Sequence, residues 1–100
     1  MNECEIIQSE TFRKWLSKVK DGMAVMRIGA GIRRMSAGNF GNCKPVRDGI
    51  SELRIDHGPG YRVYYMRKGP IVIVLLAGGD KSTQDADIER AITIAKEWKE

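Results

Sequence analysis

Apolar and polar residues alternate along Ile50–Ile55 and again, with aromatic and β-branched residues, along Tyr61–Met66, before merging into an unbroken apolar run over Ile71–Leu76. A period of two marks a strand with one buried face, and a short apolar run between turn residues marks a strand buried on both. Asp56-His57-Gly58-Pro59-Gly60 and Lys68-Gly69 separate the three segments and supply the glycine and proline that tight reversals need. Three antiparallel neighbours are therefore predicted.

Upstream, Glu3–Gln8 reads as a short first strand. Ser9 then suits an N-cap, and Glu10 favours the positive end of a helix in which Phe12, Trp15, Leu16 and Val19 form one stripe, running to about Lys20. Asp21-Gly22 breaks that helix, with Asp21 placed to cap a second whose apolar side is Val25, Ile28, Ile32 and Met35. Gly29 and Gly31 each cost a helix interior about 1 kcal/mol relative to alanine, so they mark close packing, a kink or a weaker helix. The second helix ends by about Ala37, ahead of Gly38-Asn39-Phe40-Gly41-Asn42; Lys44–Arg47 follows as a strand, and Asp48-Gly49 turns the chain into Ile50. After the apolar run, Gly78-Gly79-Asp80 reads as a glycine-rich exit and Ser82 with Asp85 as a capping box. The final helix carries Ala86, Ile88, Ala91, Ile92, Ala95 and Trp98 on its apolar side, nearly to the C-terminus. The fold class is α+β: a small antiparallel sheet, its first strand added at an edge, with an N-terminal helical hairpin and a C-terminal helix.

If the five-residue loop closes a regular hairpin, Ile55 faces Tyr61, Arg54 faces Arg62, Leu53 faces Val63 and Glu52 faces Tyr64. Leu53, Ile55, Tyr61 and Val63 then share a core face, and Glu52, Arg54, Arg62 and Tyr64 share the other. Two arginines directly opposite each other destabilise a sheet by a few tenths to about 1 kcal/mol. Either Glu52 relieves the repulsion within the protein, or a phosphate held between two guanidinium forks does.

One hundred residues, 42% hydrophobic and 30% charged, fit one globular domain over residues 1–100. Ile71–Ala77 is too short to cross a bilayer, and Met1-Asn2-Glu3-Cys4-Glu5 lacks the basic start of a secretory signal, so a cytoplasmic protein is expected. Cys4 and Cys43 have no companions at metal-ligand spacing, and the single histidine, His57, builds neither a histidine metal site nor a His-dependent triad. The net charge of +4 and pI near 9.3 favour an anionic partner. Thirteen Lys/Arg stand against seven Asp/Glu over residues 1–70, and four against six over 71–100, so the basic surface belongs to the first two helices and the hairpin. Lys81 beside the last helix N-terminus marks a potential anion site, although the glycine spacing before it is not that of a P-loop.

The element order, together with Gly38-Asn39-Phe40-Gly41, Lys44-Pro45-Val46, Glu52-Leu53-Arg54, Gly58-Pro59-Gly60-Tyr61-Arg62-Val63-Tyr64 and Gly78-Gly79-Asp80-Lys81-Ser82-Thr83-Gln84, resembles the HigB-like (addiction module killer) branch of the RelE/ParE toxin superfamily. The likeness spans nearly the whole chain. It implies the toxin of a type II toxin–antitoxin module, silenced by a cognate helix-turn-helix antitoxin and cutting mRNA on the ribosome. In that chemistry the ribose 2′-hydroxyl attacks the adjacent phosphate, with no metal and no cofactor required.

Carried over by position, the resemblance implies that Arg62 stabilises the phosphorane and Arg54 clamps the substrate phosphate. Tyr64 stacks on a base or relays a proton, and Lys81 protonates or neutralises the leaving 5′-oxygen, oriented by Asp80. Glu52, Asp80 and Ser82 complete the substrate contacts. Two alternatives stay open: a ParE-like inhibitor of DNA gyrase on the same fold, and a non-catalytic module that holds nucleic acid or a protein partner by charge.

Overall fold

In the computed structural model, which describes residues 3–98, the hairpin of β3 (Ile50–Ile55) and β4 (Tyr61–Lys68) has the register that its alternation predicts. Ile55 pairs with Tyr61, Arg54 with Arg62, Leu53 with Val63 and Glu52 with Tyr64. On one side of this hairpin lies β2 (Cys43–Arg47), joined to β3 through Asp48 and Gly49, whose φ values of 54° and 79° are those of a primed hairpin turn. On the other side lies β5 (Val72–Asp80), and beyond it the edge strand β1 (Glu5–Gln8), giving the order β1-β5-β4-β3-β2.

Strand β1 runs parallel to β5, which makes the sheet mixed rather than wholly antiparallel as expected. A parallel pair needs a long crossover, and here everything from the first helix to β4 supplies it. Ser9 closes β1 and starts helix α1 (Glu10–Lys18): its hydroxyl accepts from the Phe12 amide at 3.0 Å and donates to the Leu76 carbonyl at 2.7 Å, fixing the helix to β5. Asp21 caps α2 (Gly22–Ser36) through the Met23 and Ala24 amides. Both helices cover the face carrying Leu53, Ile55 and Val63, where Phe12, Ile28 and Met35 are fully buried. Gly31 marks close packing: a β-carbon there would lie 3.1 Å from methyl groups of both Leu53 and Ile55.

Helix α3 (Gln84–Glu97) covers the opposite face with Ile88, Ala91 and Ile92 over Ile50, Tyr64, Leu76 and Ala77. This end of the chain differs from its expected form in two ways. First, Gly78, Gly79 and Asp80 are not an exit loop but the last rungs of β5, paired with Val63, Arg62 and Tyr61. A shift in register between Tyr64 and Tyr65 puts both Leu76 and Ala77 on the α3 face, so the alternation resumes with Gly78 towards α1 and Gly79 towards α3. Neither glycine is there for backbone freedom. A side chain at Gly78 would overlap the Trp15 indole, and one at Gly79 would overlap the Asp87 carboxylate. Second, Ser82 does not cap α3. A 3-10 turn over Lys81–Thr83 intervenes, and Asp87 rather than Ala86 takes the buried position in the first turn of the helix.

Candidate functional site

Because α3 starts only after the 3-10 turn and packs over the apolar part of its sheet face, the end of that face carrying Arg54 and Arg62 is left open. The result is a cleft of about 480 Å³. Its floor is Arg54 from β3 and Arg62 from β4, and its walls are Gly41–Lys44, the Asp56–Gly60 loop and Lys81. Four cations, Lys44, Arg54, Arg62 and Lys81, line it against one carboxylate, Asp56. Such a concave, strongly positive surface concentrates anions, and its arginine forks match phosphate oxygens.

The two arginines differ in their surroundings. Arg54 is exposed and has no carboxylate within 4.0 Å among the described residues. Arg62 is 7% exposed; its Nη1 donates to the Gly60 carbonyl at 3.2 Å, and its Nε lies 3.7 Å from Oε1 of Glu52, itself 2% exposed. Glu52 therefore meets part of the like-charge repulsion from within the sheet, and it does not reach the cleft as the substrate contact expected of it. Gly60, at φ +84°, brings two cations together, since a β-carbon there would lie 3.5 Å from both Arg62 Nη1 and Lys81 Cβ.

Asp80 holds the turn that presents Lys81, but not by contact with Lys81. Its Oδ1 accepts from the Ser82 hydroxyl at 2.6 Å and the Ser82 amide at 2.8 Å, and these bonds, the hydroxyl's first, hold its pKa below the ordinary aspartate value. The Ser82 hydroxyl is committed to this turn, so Ser82 acts here as a turn residue. Tyr64 departs further from its expected role. Its ring is fully buried under α3 and cannot stack on a base. Burial, followed by the nearby charges of Glu52 and Asp87, pushes its hydroxyl up to about 12, which makes it a poor proton relay near neutral pH.

Two charged residues of the cleft lining, Lys44 and Asp56, stand outside the expected site residues, as does Asp87, which is not part of the lining. Lys44 pairs with Glu52 across β2 and β3, so extending the alternation by one strand places it on the same face. Asp56 lies just beyond the paired residues of β3. Asp87, which accepts from Thr83 Oγ1 at 2.6 Å and lies 3.5 Å from Arg90, is buried against Gly79, with no local signal to announce it. His57 faces away: its Nε2 lies 3.0 Å from Asp21 Oδ2, tying the glycine-rich wall to the start of α2 and lowering the Asp21 pKa.

A five-stranded mixed sheet with two helices on one face and a C-terminal helix on the other is an α+β arrangement compatible with the RelE-like fold, here with a cation-lined cleft at the uncovered end of the sheet. Residues 14–100 match the family described as Phage derived protein Gp49-like (DUF891), and the chain belongs to that family, a RelE/Gp49-type toxin family related to the toxins of toxin–antitoxin systems. It is also 54% identical over 87 residues to a protein of Haemophilus influenzae (strain ATCC 51907 / DSM 11121 / KW20 / Rd) named only "Uncharacterized protein". That match covers 87% of this chain and 88% of the Haemophilus protein.

Proposed function

We propose that this protein is the toxin of a type II toxin–antitoxin module, of the HigB-like branch, and that it cleaves mRNA on the ribosome in the cytoplasm. The observation that carries this reading is the convergence of Lys44, Arg54, Arg62 and Lys81 on a single cleft at the end of the sheet. In the reaction the ribose 2′-oxygen bonds to phosphorus as its proton is lost to solvent. The bond from phosphorus to the 5′-oxygen breaks, leaving a cyclic 2′,3′-phosphate and a 5′-hydroxyl. Arg54 clamps the phosphate, Arg62 meets the charge that grows on the equatorial oxygens, and Lys81 neutralises or protonates the departing 5′-oxygen. The partner that silences it is a helix-turn-helix antitoxin, whose acidic residues would complement the cleft.

Mapping of 5′ ends after induced expression tests the reading. Messages cut within codons and bearing 5′-hydroxyl ends are expected, with cutting slowed severely, to a small residual rate, by Arg62→Ala in a protein that still folds. Intact messages in growth-arrested cells would remove the reading, and gyrase trapped on DNA in the same cells would replace it with the ParE-like one. Salt-sensitive RNA binding with no product would leave a binding module.

A further inference from the structure

Among the four cations of the cleft, Arg62 alone has a carboxylate within ion-pair reach among the described residues. That carboxylate, Glu52, is unusual in its position. It lies on β3 between Ile50, which is part of the α3-side core, and Arg54, which is exposed, with fully buried Tyr64 directly across the hairpin. A sheet built for stability alone would carry an apolar side chain there, because a buried carboxylate loses its hydration and recovers little unless paired. Yet the pair is loose: 3.7 Å is too long for a hydrogen bond, and Arg62 Nε is buried without a hydrogen-bond partner. Away from Nε, Nη1 donates at 3.2 Å to the carbonyl of Gly60, a residue that lines the cleft together with Arg62.

We infer that Glu52 is a positioning residue for Arg62: its buried charge draws the guanidinium away from the facing Arg54 and sets its Nη edge towards the cleft. Arg62 then meets a phosphate in one orientation, while Arg54, free of any such tether, adapts to the strand as it enters. The rate consequence rests on the RNA-cleavage reading above; the geometric claim does not.

The experiment compares wild type, Glu52→Gln, Arg62→Ala, the double variant and Arg54→Ala on ribosomes programmed with a defined message. Both the single-turnover cleavage rate and the half-saturating protein concentration are measured. Glu52→Gln keeps the side-chain size but not the charge, and is expected to lower the rate on the order of 10²-fold with little change in half-saturation. Arg54→Ala is expected to act mainly on half-saturation. In the Arg62→Ala background Glu52→Gln should have no further effect, because a residue acting through another is silent once that other is gone. Should Glu52→Gln fail to fold, Glu52→Asp, which keeps the charge, is expected to fold and retain most of the rate.

Wild-type rate in folded Glu52→Gln, or effects of the two changes that multiply independently, would overturn the inference. A second readout separates it from the cleavage reading. The Arg62 Nε–H resonance in a ¹H–¹⁵N correlation spectrum, assigned by its loss in Arg62→Ala, should move or broaden in Glu52→Gln whether or not the wild type cuts RNA. An unmoved resonance would overturn the positioning role, whereas a wild type that cuts nothing would overturn only the cleavage reading.

Discussion

At the residue scale, the tightest constraints fall on two glycines that resemble loop residues in the sequence. The face of Gly78 is filled by the Trp15 ring and that of Gly79 by the Asp87 carboxylate. Gly78→Ala and Gly79→Ala are each expected to lower stability by roughly 1–3 kcal/mol, the usual cost of forcing an extra carbon into a packed interior, as read from denaturant midpoints. Gly31→Ala meets only methyl groups, at 3.1 Å, and should cost less because those can give way. Tyr64 makes a pH prediction. With its folded pKa raised to about 12 from an ordinary value of 10.0, the neutral phenol is favoured in the native state. The corresponding stability is fully present below pH 10 and lost as pH rises towards 12. Tyr64→Phe should remove that loss. The variant should also be close to wild type at neutral pH, because the hydroxyl is buried without a hydrogen-bond partner.

At the scale of elements, the decisive joints are those that attach helices to β5. Ser9 caps α1 and also bonds the Leu76 carbonyl, so Ser9→Ala removes a cap and leaves buried backbone groups at both ends unpaired. A loss of about 1–2 kcal/mol is expected in thermal or denaturant unfolding. The joint to α3 is the Asp80–Ser82 turn. Because the folded Asp80 pKa is depressed, its contribution is present above the ordinary aspartate value of 3.8 and fades as pH falls through the lower folded value. Asp80→Ala should loosen the turn that presents Lys81 while leaving the two cores intact. On the proposed RNA-cleavage reading, the cleavage rate of this variant should fall by more than its melting temperature accounts for.

At the scale of the molecule, the sheet divides its own surface. One face packs against α1 and α2, with Phe40 beside them. The other is shared between the apolar part under α3 and a cationic end left to solvent. On the proposed RNA-cleavage reading, association with single-stranded RNA should depend on salt with a slope of about −0.7 for each phosphate neutralised. Lys44→Ala and Lys81→Ala should each flatten it by about that amount. Changes to the outward Arg–Glu pair between Arg47 and Glu89, which does not line the cleft, should leave the slope unchanged.

The hairpin register, the caps at Ser9 and Asp21, the positions of the first two helices and the shared face of Arg54 and Arg62 were all legible in the amino-acid order. Each depends on interactions within a few residues or on the strict period of a strand. Tertiary structure decided the rest. The order of residues says that Glu52 and Tyr64 share a face with the arginines, but not that α3 reaches far enough to bury both and stops short of Arg54. Nor does it distinguish glycines that free the backbone from glycines that make room for Trp15 and Asp87, since that depends on side chains more than 60 residues away along the chain for Trp15 and on a helix packed from the other face for Asp87. Local propensity sets the elements, but which part of a two-sided sheet stays open is settled by where long-range packing runs out of apolar surface to cover.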